Sequence, residues 1–590
     1  NSGIWRDFSK QNTWTANAYV NYTKTFAKKH NLNVMAGVNA EEEEYKYLYG
    51  TRNVMYDQEG YPELNMAGKD GQDLSWNHTS RASAGYFGRI NYDYKGIYLL
   101  ELNGRYDGSS RFPHTDQWAF FPSASIGYRF SEEAYFAPLK HIVSNGKLRA
   151  SFGEIGNEAV GDYMFEQLIS QRLNNKSTGY IYWIENNNAN ANLLTMYNMP
   201  DLVSSTLTWE RIRTLNIGLD LGLLNDELTI GFDWFQRENR DMLAPAQVLP
   251  NTLGASAPYE NAGTLRTRGW ELNLNWRHTF GDFDVYANFN IGDSKTKVTK
   301  WDNDSKLLST YYTGKTYGDI FGFETDRYFE EKDFTSQNAD GSWNYANGIA
   351  SQAGLESGNF HYGPGDVKFK DLDGNGKIDG GKGTADDHGD LKVIGNSMPR
   401  YEYSFHLGGA WKGIDLDLYF QGVGKREDWT TSSLNLPAMV HADVAIYSHQ
   451  TSYNKVLWNS DYTAITGYEV NQGNRYPRLY RGTNNSGGTV SGIANGCNNY
   501  YPQSRYLTDM SYLRLKNVTV GYTLPKEWTR KAYIEKARIY FSGSNLFLLH
   551  KGNDLPVDPE ISTGNGLTAG GWGRIAPITR TFSFGVQVTL

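Results

Sequence analysis

The chain has one cysteine among its 590 residues, Cys497, so neither an intramolecular disulfide framework nor a cysteine-rich metal site is available to it. It has no run approaching the roughly 20 apolar residues that a membrane-spanning helix needs, and its mean hydropathy is −0.60. Positive charge is not in excess. The formal net charge is −8, which argues against the basic stripe of a nucleic-acid binder, so no nucleic-acid partner is expected.

Catalytic signatures are scarce as well. TGKTYG (313–318) contains GKT, but the first glycine of a phosphate-binding loop would fall on Ser309. The 11 histidines form no H-E-x-x-H, there is no C-x-x-C, and DGSS (107–110) lacks the frame of a nucleophile elbow. Neither an enzyme nor an organic cofactor is expected. The opening residues, NSGIWRDFSKQ, carry neither the charged nor the apolar region of a signal peptide, which predicts an internal or mature start.

What the chain has in quantity is aromatic side chains, with 42 Tyr, 27 Phe and 16 Trp, and 62 Gly, a mixture that favours strands and turns over helices. Segments of about ten residues alternate with the two-residue period of a strand. Leu228, Ile230, Phe232 and Trp234 alternate with Thr229, Gly231, Asp233 and Phe235. Trp270, Leu272, Leu274 and Trp276 alternate with Glu271, Asn273, Asn275 and Arg277. Ile414, Leu416, Leu418 and Phe420 do so against Asp415, Asp417, Tyr419 and Gln421, and the pattern persists through Phe582, Phe584, Val586, Val588 and Leu590.

A strand with lipid on one side and a water-filled lumen on the other is only half apolar, so its mean hydropathy is unremarkable. Joint lengths separate this case from a soluble sandwich. Short joints such as YKG (94–96), NDE (225–227) and WKG (411–413) alternate with long connections through 155–205, 302–399 and 425–510. Short turns at one rim and long loops at the other predict an all-β transmembrane antiparallel barrel. About fifteen strands are expected, near 13–25, 31–44, 81–93, 97–107, 119–130, 147–154, 208–221, 226–238, 268–278, 283–293, 400–411, 414–424, 512–522, 535–545 and 580–590. No helix-period segment of useful length and no domain-dividing linker interrupts them.

YDGSSRF (106–112), FFPSASIGYRFSEEAYF (120–136) and LRASFGEIGN (148–157) resemble the SusC/RagA-type family of TonB-dependent outer-membrane transporters. WERIRTLNIGLDLGLLNDELTIGFDWFQRENRDML (209–243), GDVKFKDLDGNGKIDG (365–380), IGNSMPRYEYSFHLGGAWKGIDLDLYFQG (394–422) and SYLRLKNVTVGYTLPK (511–526) follow in the same order. The resemblance implies a 22-stranded barrel in the intact protein, of which residues 1–590 form the C-terminal part without the N-terminal plug and first strands. It further implies TonB-dependent import of an oligosaccharide or oligopeptide across the outer membrane of a Bacteroidota-type Gram-negative cell. The implied partners are a SusD-like surface lipoprotein, TonB-ExbB-ExbD acting through the plug, outer-membrane lipid, and a second copy of the transporter–lipoprotein pair. A passive porin or adhesin on the same barrel, and a soluble all-β glycan-binding protein, are the competing readings.

The sharpest local motif runs from Asp371 to Asp379, DLDGNGKID, with side-chain oxygens at positions 1, 3, 5 and 9 and glycine at position 6, as in a calcium loop. The expected ligands of a Ca2+ or Mg2+ ion are Asp371, Asp373, Asn375, the main chain of Lys377, and Asp379. Lys382 stands where the bidentate Glu would be. Asp386, Asp387 or Asp390 can replace it, and Asp387 is taken into the expected set; a metal-free Asx-rich turn is the alternative. Loop aromatics are candidates for stacking on a substrate, foremost Tyr180, Tyr182, Trp183, Trp343 and Tyr345, with Tyr311, Tyr312, Trp458 and Tyr462 in similar surroundings. For each of them ordinary loop packing or contact with the lipoprotein is the competing role.

Overall fold

The computed structural model describes every residue except 1–2, 54–62, 69–71, 168, 170, 174–194, 198–199, 201, 205–206, 246–256, 358–359, 430–433, 438–445, 480–497 and 561–577. Fifteen strands form its wall: β1 (Gly3–Phe26), β2 (His30–Asn53), β3 (Asp73–Tyr94), β4 (Tyr98–Ser109), β5 (Trp118–Tyr128), β6 (Val143–Asn157), β7 (Glu210–Leu223) and β8 (Leu228–Pro245). They continue as β9 (Tyr259–Phe280), β10 (Phe283–Lys300), β11 (Arg400–Trp411), β12 (Ile414–Lys425), β13 (Tyr512–Thr523), β14 (Lys536–Lys551) and β15 (Thr581–Thr589). All fifteen belong to one sheet in chain order, each antiparallel to its sequence neighbours.

The register turns the alternation of single strands into a belt. Ile230 lies opposite Leu221 and Leu274, Leu274 opposite Phe289, Phe289 opposite Phe405, and Phe405 opposite Phe420. The belt continues through Leu418 and Val518, Val520 and Phe541, and Phe541 and Phe584. In the other direction it passes through Leu148 and Leu219, Leu100 and Ile126, Ile90 and Leu102, and Val34 with Tyr22. The opposite face is a polar ladder, with Asn273 facing Asn290, Asn288 facing His406, His406 facing Tyr419, and Asp417 facing Thr519.

The belt is not covered by protein. Phe584 is 84% exposed, and Phe582, Val586, Ile126 and Val20 are exposed too. A soluble sandwich would bury this face, and so large a contiguous apolar surface calls for an apolar medium. The largest buried apolar cluster lies in the long connections instead, between Phe323 and Tyr506. Among the described residues no helix is long and apolar enough to cross a membrane.

Strand length locates the membrane. A tilted strand needs about 9–11 residues to cross, whereas β1 and β2 have 24 each, so their ends nearest the long connections stand clear of it. At the other rim the turns are tight. Lys412 (φ 47°) and Gly413 (φ 89°) close the two-residue hairpin between β11 and β12 with the paired positive φ values that match strand twist. The fifteen expected strands are all present, and several run longer than their alternation indicates: β1 starts at Gly3 rather than 13, and β9 at Tyr259 rather than 268. The hydrogen-bond ladder continues past the lipid boundary, while the apolar-polar alternation stops there. Six further two-stranded sheets lie in the connections, which the strand pattern did not indicate.

The face assignment predicts an asymmetry between neighbouring residues. Phe405→Arg puts a charge on the belt and is expected to cost about 2–4 kcal/mol, while Ser404→Arg on the polar face stays near wild type. Urea titration of folding into lipid vesicles measures both, and equal losses would refute the assignment.

Candidate functional site

Three regions carry chemistry: a folded cap made by the long connections, an acidic loop within it, and the polar face of the wall. The connections β10–β11 (301–399) and β12–β13 (426–511) fold against each other. Tyr328, Phe329, Phe360, Tyr362 and Phe369 from the first pack with Leu436, Tyr476, Tyr500 and Tyr506 from the second, all nearly or fully buried. Buried polar groups hold the two together. Asp366, fully buried, accepts from Arg478 at 2.8 and 2.7 Å and from Asn499 Nδ2 at 2.8 Å, and Asn499 Oδ1 accepts from the Val367 amide. Phe323 N–H donates to Pro502 O at 2.8 Å.

Within the first connection, Arg327 makes two 2.6 Å bonds to Asp333. Burial works to raise the Asp333 carboxyl, and Arg327 more than offsets it, leaving it below the ordinary carboxylate range. Glu324 sits between Lys370, at 2.6 Å, and Lys392, and their hydrogen bonds pull its carboxyl down to about 2.

The acidic loop departs from the expected ligand set: Asp379 and Asp387 fall outside the converging carboxylates, and Asp390 joins them. Asp371, Asp373 and Asp390 each place a carboxylate oxygen within 4.8 Å of the other two. Asp387 instead lies 3.7 Å from Lys382 Nζ. Asp390 is fully buried and accepts from the amides of Leu372 and Asp379, which ties the two ends of the motif together. Asp371 accepts from the amides of Gly374 and Gly376, Asn375 Oδ1 from that of Lys377, and Asp379 from that of Gly381. Gly374 (φ 76°) and Gly376 (φ 80°) supply the left-handed backbone the turn requires. Ile378 anchors the loop in the cap core. Three convergent carboxylates form a donor set that fits a hard cation.

On the polar face of the wall Arg149 bridges Asp220 and Asp233, with 2.6 Å bonds to both oxygens of Asp233. Nearby a concavity of about 490 Å³ is lined by Asn31, Asn33, Asn91, Glu101, Ser151 and Asn216.

The loop aromatics divide into three groups. Tyr180, Tyr182 and Trp183 lie outside the described residues. Trp343 and Tyr345 are half-buried against the cap core, with Trp343 5.1 Å from Phe334 and Tyr345 5.9 Å from Phe329. Tyr311 likewise packs against Trp301 and Tyr317. Trp458 and Tyr462 stay exposed, at 47% and 79%, on and beside the hairpin Lys455–Trp458 and Ile465–Glu469. The cap core and the buried Asp366–Arg478–Asn499 cluster went unseen in the sequence, where the only signal was the aromatic density of both connections.

The sequence model of the family described as "TonB dependent receptor-like, beta-barrel" matches residues 2–386. TonB-dependent receptor P3 of Formosa agariphila is 27% identical over 98% of this chain and 52% of its own length. TonB-dependent receptor SusC of Bacteroides thetaiotaomicron is 25% identical over 93% of this chain and 48% of its own. The chain thus spans about half the length of the relatives it matches. Among solved structures, one titled the RagAB peptide transporter superposes with a TM-score of 0.69 at 20% identity, covering 99% of this chain and 56% of that one.

The cap carries one group poised for titration. Asp428 is buried where the cap meets β12, and burial pushes its carboxyl up to about 6 despite Arg426 at 3.9 Å. An acid whose folded value is raised favours folding most below its ordinary value of 3.8, and that advantage is lost as pH rises through about 6. Resistance of the cap to limited proteolysis should therefore fall between pH 4 and 7, with Asp428→Asn flattening the profile. Parallel wild-type and variant profiles would refute this.

Proposed function

Because the chain belongs to the TonB dependent receptor-like β-barrel family, we propose that it forms the C-terminal wall of an outer-membrane importer driven by TonB-ExbB-ExbD. The cargo is an oligosaccharide or oligopeptide, delivered by a SusD-like surface lipoprotein seated over the mouth. The observation that carries this reading is the combination of an uncovered apolar belt, a polar inner face and a folded cap at one rim. A wall alone suits a passive pore. A cap with its own core offers a preformed surface to a partner, and the exposed Trp458 and Tyr462 project from it. RagAB, described by its titles as a peptide importer with "open-open" and "closed-closed" states, supports an opening and closing assembly with peptide among the candidate cargoes. The family is one of transporters, so the role is movement of an intact solute rather than its conversion. A paired assembly of two transporter–lipoprotein units is part of the proposal.

The acidic loop is proposed to hold Ca2+ or Mg2+ through Asp371, Asp373 and Asp390, with Asn375, Asp379 and the Lys377 carbonyl adjacent. The ion's role there is mechanical: it neutralises converging carboxylates and stiffens the loop on which Ile378 is anchored.

Two outcomes are expected. In cells carrying the full-length protein, uptake of labelled oligopeptide or oligosaccharide mixtures should stop when a protonophore is added. Uptake indifferent to energy would leave a passive porin, and a protein that stays in the aqueous phase without detergent would leave a soluble glycan binder. For the loop, Ca2+ should slow proteolysis between 371 and 390 at least several-fold in wild type and not in Asp371→Asn/Asp373→Asn. Equal cleavage rates with Ca2+ and with chelator would end the cation reading.

A further inference from the structure

The outward face of the wall does not remain apolar up to the long-loop rim. The register from β8 to β10 is unbroken from the belt upward: Trp234 faces Trp270, Gln236 faces Arg268, and Glu238 faces Arg266. On the next seam Leu272 faces Ile291, Arg268 faces Lys295, and Arg266 faces Lys297. Paired residues share a face, so Arg266, Arg268, Lys295 and Lys297 point outward, on the lipid side of the wall and not into the lumen. At about 3.4 Å per residue, Arg268 lies roughly 7 Å and Arg266 roughly 14 Å beyond Trp270 along the strand. Tryptophans at such a position mark the membrane–water boundary. The four cations thus stand at the depth of the headgroups.

Their charge is not neutralised by the protein. The carboxylates on this face are already engaged: Glu238 is shared between Arg266 at 2.7 Å and Arg240 at 2.7 Å, and Asp293, opposite Trp270, is held by Arg400. Arg268 bonds the neutral Gln236 at 2.7 Å. Lys295 and Lys297 are exposed and have no ion-pair partner among the described residues. Like charges placed directly opposite across a strand pair destabilise the sheet, and here two such pairs are stacked, Arg268 with Lys295 and Arg266 with Lys297. An anion bridging the two strands turns that repulsion into attraction. A phosphate ester suits the site, because guanidinium binds it in a two-pronged fashion and ammonium as a point charge.

We propose that this patch binds the phosphate-bearing headgroup of an outer-leaflet glycolipid, fixing lipid to the wall beneath the cap. The proposal goes beyond import and rests only on the apolar belt being the membrane-facing surface.

The test uses the full-length protein in mild detergent, titrated with bisphosphorylated lipid A or with the same lipid stripped of phosphate, binding being read by native mass spectrometry. Wild type should prefer the phosphorylated lipid by about tenfold or more. Arg268→Gln/Lys295→Gln/Lys297→Gln should lose that preference. Lys295→Glu/Lys297→Glu, which alters only exposed side chains, should lose it as well, and a heat-modifiable gel shift confirms that each variant is folded. Equal binding of both lipids by wild type, or an unchanged preference in the folded variants, overturns the proposal. Full displacement by inorganic phosphate overturns it in favour of a free-anion site. Variants that lose the copurifying lipoprotein and keep the lipid preference overturn it in favour of a protein contact. Failure of wild type to enter detergent micelles would instead sink the membrane reading, and loss of energised uptake bears only on the transport reading.

Discussion

Nothing in a lipid interior can take the place of water at a peptide group, so every spanning N–H and C=O must be met by a neighbouring strand. That constraint orders the wall. It explains the single sheet in chain order, and it makes register a matter of survival, since a slip of one residue would carry every charged side chain of a strand into lipid. Between β8 and β10 the irregularities fall at Asn239/Met242 and Thr264/Leu265, on the long-loop side of the belt. On these two seams the ladder distorts only there.

Outside the membrane the chain obeys a different rule. A connection of about a hundred residues carries an entropic cost of closure that backbone pairing at its two ends does not offset. The two longest connections meet it together by sharing one hydrophobic core and by burying charge only in satisfied clusters. Asp366 is held by Arg478, Asn499 and the Gly363 amide, and so has few lone pairs left unmet. Such a cluster specifies one arrangement of the two connections, because a carboxylate buried without its partners is strongly unfavourable. The cap is therefore a small water-soluble fold built on strands whose own stability comes from lipid.

This difference decides what the sequence reveals. Alternation is imposed by the two media on either side of a strand, so Leu272, Leu274 and Trp276 announce β9 without any knowledge of its neighbours. The upper part of β9, from Tyr259 to Arg268, lies beyond the hydrocarbon, has polar surroundings on both sides and carries no such imprint. The cap is less legible still, because its core joins residues as distant as Phe323 and Tyr506 and its strands are two to six residues long. The Asp371–Asp379 motif was visible because turn chemistry is local. Asp390 was harder to single out, because the buried position that brings it to Asp371 depends on the fold of the intervening Gly-rich segment. Asp387 is as close in sequence, but its carboxylate faces Lys382.

The two faces of the wall also treat charge differently. On the lumen side several charges are matched: Arg149 is clasped by Asp220 and Asp233, Arg538 by Asp415, and Asp417 takes hydrogen bonds from His406 and Tyr286. Between them lie the amides of Asn273, Asn275, Asn288 and Asn290. This face presents many donors and acceptors, together with Glu101 and Glu271, which have no ion-pair partner among the described residues. On the outer side, above the tryptophans, Arg268, Lys295 and Lys297 are left without carboxylates. The run of cations without carboxylates is thus on the outward face, while Arg149 and Arg538 of the inner face are held by carboxylates.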